Sequence, residues 1–238
     1  MTRNLLFSDC YRINDFIKVV IPTVGEVLRA EDGYYSMISA IVATPYDMMV
    51  QLDDVGIEYT TIDDYDLFLM TIKALQEQDT SLIFGDLNLR AFKPAVNEKS
   101  QTLVLYDADS GTIIDRAIHF EICQAIRQIH HLKRNYKKPG NKEALNFMLR
   151  RARDKMRRQK KKVTSSQLEE LIVALVNTEQ FGYGFEDVKT LTIYQFNESV
   201  HQIVKKIDFD NKMNGIYSGT VSAKDLNPAE LNWLTNKN

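Results

Sequence analysis

Three groups of side chains have the types and spacing that chemistry would need. His119 and Cys123 lie four residues apart in a helical pattern, so both project from one face, as two zinc ligands would. No nearby Cys or second histidine pair completes a four-ligand set, and His130-His131 suit the negative end of a helix dipole. Asp107-Ala108-Asp109-Ser110-Gly111 resembles the start of a calcium loop. Its glycine comes one position early, however, and Ile118 stands where the bidentate glutamate belongs. Turn chemistry accounts for it better. The acidic residues between Asp53 and Asp66 suggest a metal site, yet most suit the N-terminal turn of a helix.

Catalytic constellations are harder still to assemble. There is no G-x-x-x-x-G-K-[ST] loop, no G-x-G-x-x-G after a strand and no G-x-S-x-G elbow. Gly182-Tyr183-Gly184 is too short to cradle a dinucleotide, and Cys10 and Cys123 carry no nucleophile signature. The expectation is a non-enzymatic protein with no catalytic residue, metal ligand or cofactor.

The strongest feature is electrostatic. Residues 133–162 read KRNYKKPGNKEALNFMLRRARDKMRRQKKK and hold 14 of the 30 Lys and Arg, against only Glu143 and Asp154. The stretch therefore carries +12, leaving −14 on the rest of a chain whose net charge is −2. Lys137-Lys138-Pro139-Gly140-Asn141 is a helix breaker, and the spacing predicts a helix over Lys142 to Lys162. Leu145, Met148, Leu149, Ala152 and Met156 form an apolar stripe, surrounded by Arg150, Arg151, Arg153, Lys155, Arg157 and Arg158. Such a helix fits an acidic protein groove or nucleic acid phosphates. A membrane surface fits less well, because the apolar face is modest and lacks tryptophan. Contact with the chain's own acidic surface at Asp53 to Asp66 is the structural alternative.

Several elements must carry that helix. A length of 238 residues allows a real core, and 44% hydrophobic with 26% charged residues is ordinary for a globular protein. Two cysteines without a framework fit a reducing cytoplasm, and no apolar run approaches a membrane span. The pattern predicts a strand over Asp15 to Ile21, after a loose N-terminal arm. Helices are expected from Tyr34, from Thr44-Pro45 to Gly56, from Thr61 or Asp63 through Leu75, and from Ala117 to Leu132. Between them lies a β insertion at about 82–116, with strands at 82–84, 87–89, 102–106 and 112–114.

Further on, Ser166-x-x-Glu169 and Thr192-x-x-Gln195 are capping boxes, the second opening a helix that Asn214-Gly215 should end. Between them Phe181, Tyr183 and Phe185 alternate with glycines, either as core or as a binding platform. Asn227-Pro228 should open a short C-terminal helix containing Leu231, Trp233 and Leu234. The fold class expected is mainly α (α+β). It is one domain spanning 1–238, with residues 137–141 as a possible hinge between two helical lobes.

The stretches Thr44 to Phe68 and Leu191 to Gly219 resemble small proteins encoded in the structural-gene clusters of tailed bacteriophages and prophages. Ile21 to Val27, with the helices after it and the β insertion, is similar to assembly proteins of a phage baseplate hub. The resemblance implies a tail or baseplate assembly protein, a chaperone or adaptor. It would act in the host cytoplasm, or stay with the virion, and bind a tape-measure or baseplate-hub protein. The alternative is a nucleic-acid-binding accessory or host-takeover protein. Either way the contact is expected at Arg150, Arg151, Arg153, Lys155, Arg157, Arg158, Leu145, Met148, Met156, Phe181, Tyr183 and Phe185.

Overall fold

The computed structural model describes residues 4–98, 100–159, 166–222, 227 and 232–234. Among them ten helices and two small antiparallel sheets make a mainly helical α+β fold. Cys10–Arg12 (β1) pairs with Lys18–Val20 (β2) in the register Cys10↔Val20. Within the arm expected to be loose, residues 10–12 thus form a strand. The turn between them is held by the Asn14 carboxamide, which accepts from the N–H groups of Phe16 and Ile17.

Thr23 and Glu26 form a capping box that starts Val24–Arg29 (α1), and Glu31–Val42 (α2) follows. Helix therefore begins ten residues before Tyr34. The short apolar spacing of Val24 and Val27 shows only once both are buried. Thr44 and Asp47 bond reciprocally around a turn, and Met49–Asp54 (α3) begins after it, later than the Thr44-Pro45 signal suggested. Gly56, at φ +78, closes α3 as expected, with the Ile57 N–H donating to Leu52. Asp63 caps Asp64–Gln76 (α4) through a reciprocal pair with Asp66.

The β insertion is smaller than the apolar runs implied. Ser81–Phe84 is a helical turn (α5), and Leu89–Ala91 is a 3-10 turn. A three-residue apolar run has no period of its own; here Ile83 and Phe84 face the core from helical geometry. The sheet is Lys93–Asn97 (β3), Thr102–Tyr106 (β4) and Ile113–Ile114 (β5), all antiparallel in the order β3-β4-β5. Pro94 hid β3 from the sequence, since proline sits in a sheet only at an edge, which is where β3 lies.

Asp115 caps Arg116–His130 (α6), and His131 ends it in the left-handed conformation. After a run without regular structure comes Lys142–Gln159 (α7); residues 160–162, the end expected for this helix, lie outside the described residues. Gln167–Val176 (α8) and Phe185–Val188 (α9) lead to the 25-residue Ile193–Tyr217 (α10), which runs past Gly215 and ends before Gly219 at φ +74. Most of the expected C-terminal helix lies outside the described residues.

Two hydrophobic clusters result. The larger joins α1, α2, α4, α6, α8 and α10 around Val24, Ile41, Leu75, Ile126 and Phe196. The smaller gathers Met49, Val50, Leu52, Tyr59, Leu67 and Leu149 between α3, α4 and α7. Backbone bonds tie the first helices to the last: the Val24 and Gly25 N–H groups donate to Leu191 and Lys189, and the Ile193 N–H donates to Pro22. Gly25 suits this close approach, because a Cβ would come to 3.1 Å from the Lys189 carbonyl oxygen and the backbone there would have to give way.

Candidate functional site: the outer face of the basic helix

The basic stretch divides into three parts with different environments. Residues 134–137 are stitched to the body. Arg134 makes a two-point contact with Asp64 at 2.8 and 2.9 Å, and the Thr44 hydroxyl donates to the Asn135 carbonyl at 2.6 Å. The Asn135 amide reaches Asp47 at 2.9 Å, while Tyr59 donates to the Lys137 carbonyl at 2.6 Å. The chain is held up to Lys137, and the Pro139-Gly140 breaker then turns it into α7.

α7 places its apolar stripe on the second cluster. Leu149 is buried, and Leu145, Met148, Ala152 and Met156 pack beside it against α3 and the residues after it. Leu145, Met148 and Met156, expected to anchor a partner, are thus engaged by the chain itself. The pattern could show that this face needed a cover, but not which molecule supplies it. Arg153 stands at the edge of the same contact, its guanidinium 2.8 Å from Asp53 and 2.5 Å from Asp54. Those two carboxylates hold it charged above its ordinary range. Part of the acidic segment thus meets the basic helix, as the self-contact alternative expects. Asp63 and Asp66 instead cap α4 and meet Arg116.

The outward face is left charged. Arg150, Arg151, Lys155, Arg157 and Arg158 are all exposed. At helical spacing Phe147, Arg151, Asp154 and Arg158 fall in one row, flanked by Arg150 and Arg157 on one side and Lys155 on the other. Arg157 approaches Asp154 at 3.9 Å, and the Arg151 guanidinium lies 5.7 Å from the Phe147 ring. Phe147 is 58% exposed although it is apolar. It was missed by reading apolar residues only as stripe; its offset from Leu145 and Leu149 was the available signal.

The aromatic run splits. Phe181 is buried and packs edge-to-face on Phe196 at 6.4 Å, so it belongs to the core and not to a contact surface. Tyr183 and Phe185 are exposed. Tyr183 helps line a groove of about 490 Å³ with Leu6, Phe7, Leu191 and Gln195, far along the chain from α7.

The earlier candidates for metal chemistry find structural roles. His119 is buried, stacks on Phe68 at 4.3 Å, and lies 3.3 Å from the Ile41 carbonyl and 3.4 Å from the Cys123 sulfur. Burial pulls its pKa down to about 4 and pushes the Cys123 thiol up to about 12, so both are neutral. Asp107 accepts from the Ser110 hydroxyl at 2.6 Å and the Asp109 N–H at 3.1 Å, closing the β4–β5 hairpin loop as turn chemistry would. No group of three or more His, Cys, Asp or Glu among the described residues has metal-binding geometry.

Residues 158–238 match a family model described as the YomV second domain, about a third of the chain. That family is of phage or prophage type, so the match supports a phage protein without reaching tail or baseplate. Neither the curated proteins nor the solved structures gave a match. The matched region begins within α7 and includes α8 to α10, whose buried Leu168, Ile172, Phe196 and Ile203 share the larger cluster with residues from Leu5 onward. No helix among the described residues is long and apolar enough to cross a membrane.

Proposed function

We propose that this chain is a non-enzymatic phage accessory protein that binds nucleic acid through the outer face of α7. The observation carrying this reading is the separation of the two faces of one helix. The apolar stripe is covered by the chain's own second cluster, while Arg150, Arg151, Lys155, Arg157 and Arg158 remain exposed. A partner that docked on the stripe would have to displace that contact; phosphates need only the cations. The test is anisotropy of a labelled oligonucleotide across a salt series. Replacing Arg150, Arg151, Arg157 and Arg158 together by Ala should weaken binding and lower the slope of log affinity against log salt by about 3. An unchanged slope would overturn the reading.

A second reading, tail or baseplate assembly on a tape-measure or hub protein, draws support from the groove beside Phe7, which is 83% exposed. It has Tyr183 as a second aromatic wall and needs no contact from α7. Capture of a neighbouring tail protein that is lost in Phe7→Ser and kept in the arginine variant would favour it.

A further inference from the structure

The ring of Phe147 sets this face apart from a plain patch of charge. An exposed helix face gains nothing in water from a phenylalanine, and the other large apolar side chains of α7, Leu145, Met148, Leu149 and Met156, turn inward to the second cluster. Phe147 stands instead in the row of Arg151 and Arg158, with one guanidinium 5.7 Å from its ring and cations on both sides. Resting on the binding reading above, we infer that α7 takes single-stranded nucleic acid, with an unstacked base laid on Phe147 and Arg151 while the flanking cations hold the backbone. A flat ring accepts any base by its π-face, and the guanidinium plane adds a second stacking surface. In a duplex the bases are already stacked inside, so the ring would have no base to receive.

Charge complementarity selects the ligand class here. The row contains Asp154, whose carboxylate is 3.9 Å from Arg157, and Glu143 lies one turn before Phe147. Against those two carboxylates stand five exposed cations, Arg150, Arg151, Lys155, Arg157 and Arg158, a net excess of three that suits a chain of single phosphates. An acidic peptide would satisfy the charges equally and leave the ring without a planar partner.

The experiment compares four probes on the full chain: a single strand, its duplex, an abasic strand of the same length, and poly-glutamate. The single strand should bind most tightly. Phe147→Ala should reduce its affinity about tenfold, leave the salt slope unchanged, and leave abasic binding as it was. Phe147→Leu, which keeps the apolar bulk but loses the ring, should fall equally. Phe147→Trp should retain binding and show quenching of the new indole above the single Trp233 background. Equal affinity for strand, duplex and abasic probe, with no effect of Phe147→Ala, would overturn the stacking inference and leave the phosphate reading standing. Failure to bind any of the three nucleic acids would overturn both, and tight binding to poly-glutamate alone would assign the face to an acidic protein.

Discussion

Helices α6 and α7 are both strongly amphipathic, yet the protein uses them in opposite ways. α6 buries His119, Ile122, Cys123, Ala125, Ile126, Arg127 and Ile129 in or beside the main core. Even Arg127 is taken in, its guanidinium donating to the Val42 carbonyl at 2.8 Å beside Asp64. α7 buries only Leu149 among its described side chains. Its partner surface is a small cluster around Met49, Leu52 and Tyr59 beyond the main core, and its cations other than Arg153 stay exposed. A helix that buries a whole face in the main core determines the fold; one seated on a small cluster leaves a surface for something else. The contrast leaves α6 as the structural helix and α7 as the one with an open face, where the proposed binding would act.

That contrast can be broken by substitution. Ile126→Ala, in the middle of α6, should cost about 4 kcal/mol, read from denaturant unfolding, because its site is sealed and cannot collapse freely. A loss below about 1 kcal/mol would mean α6 is not the structural centre.

Acid supplies the second test. His119 is neutral when folded, with its pKa near 4 against about 6.5 in the unfolded chain. Between those values the unfolded state binds the extra proton, so stability is full above about pH 6.5 and falls as the pH drops towards 4. The expected loss is about 3 kcal/mol at the low end. His130, also pulled down to about 4 by burial and hydrogen-bonded at 2.9 Å to the Tyr34 hydroxyl, acts in the same direction. His119→Phe should remove much of this acid limb; a limb of unchanged depth would sink the assignment to His119.

A smaller effect is expected on the other helix. Leu149→Ala should cost about 2 kcal/mol, since the second cluster is shallower and able to relax. The loop after α8 sharpens the same rule within one motif. Tyr183→Ala should change stability by no more than about 0.5 kcal/mol, while Phe181→Ala, on the buried ring, should cost about 3. If the two rings cost the same, the split between core and surface in that loop is wrong.

Much of the fold was legible because its signals are local. Asp63 before Tyr65 and Asp66, Thr192 before Gln195, and Gly56 after an apolar stripe each satisfy backbone groups within a few residues, so the sequence shows them directly. Short elements were less legible. Ser81–Phe84 and Lys93–Asn97 are too brief to show a period, and each took its form from what it packs against. Ser166 accepts from the Glu169 N–H at the start of α8, half of the expected capping box, while Glu31 of α2 accepts the Ser166 hydroxyl and the Leu168 N–H, a partner 135 residues away that no spacing could reveal.

By itself the sequence determined the mainly helical character, the position of the basic amphipathic helix and the caps that bound its neighbours. Periodicity and capping are properties of adjacent residues, and chain order preserves them. Only the tertiary structure decided which face of α7 is available. An apolar stripe states that something must cover it, and the folded chain supplies the cover itself with Met49, Leu52 and Tyr59. Arg153 is drawn to Asp53 and Asp54 by the same packing, while Arg151 and Phe147 are left facing out. Which charges are neutralised and which are offered depends on residues about a hundred positions apart coming within 3 Å, and that is a matter of three-dimensional packing.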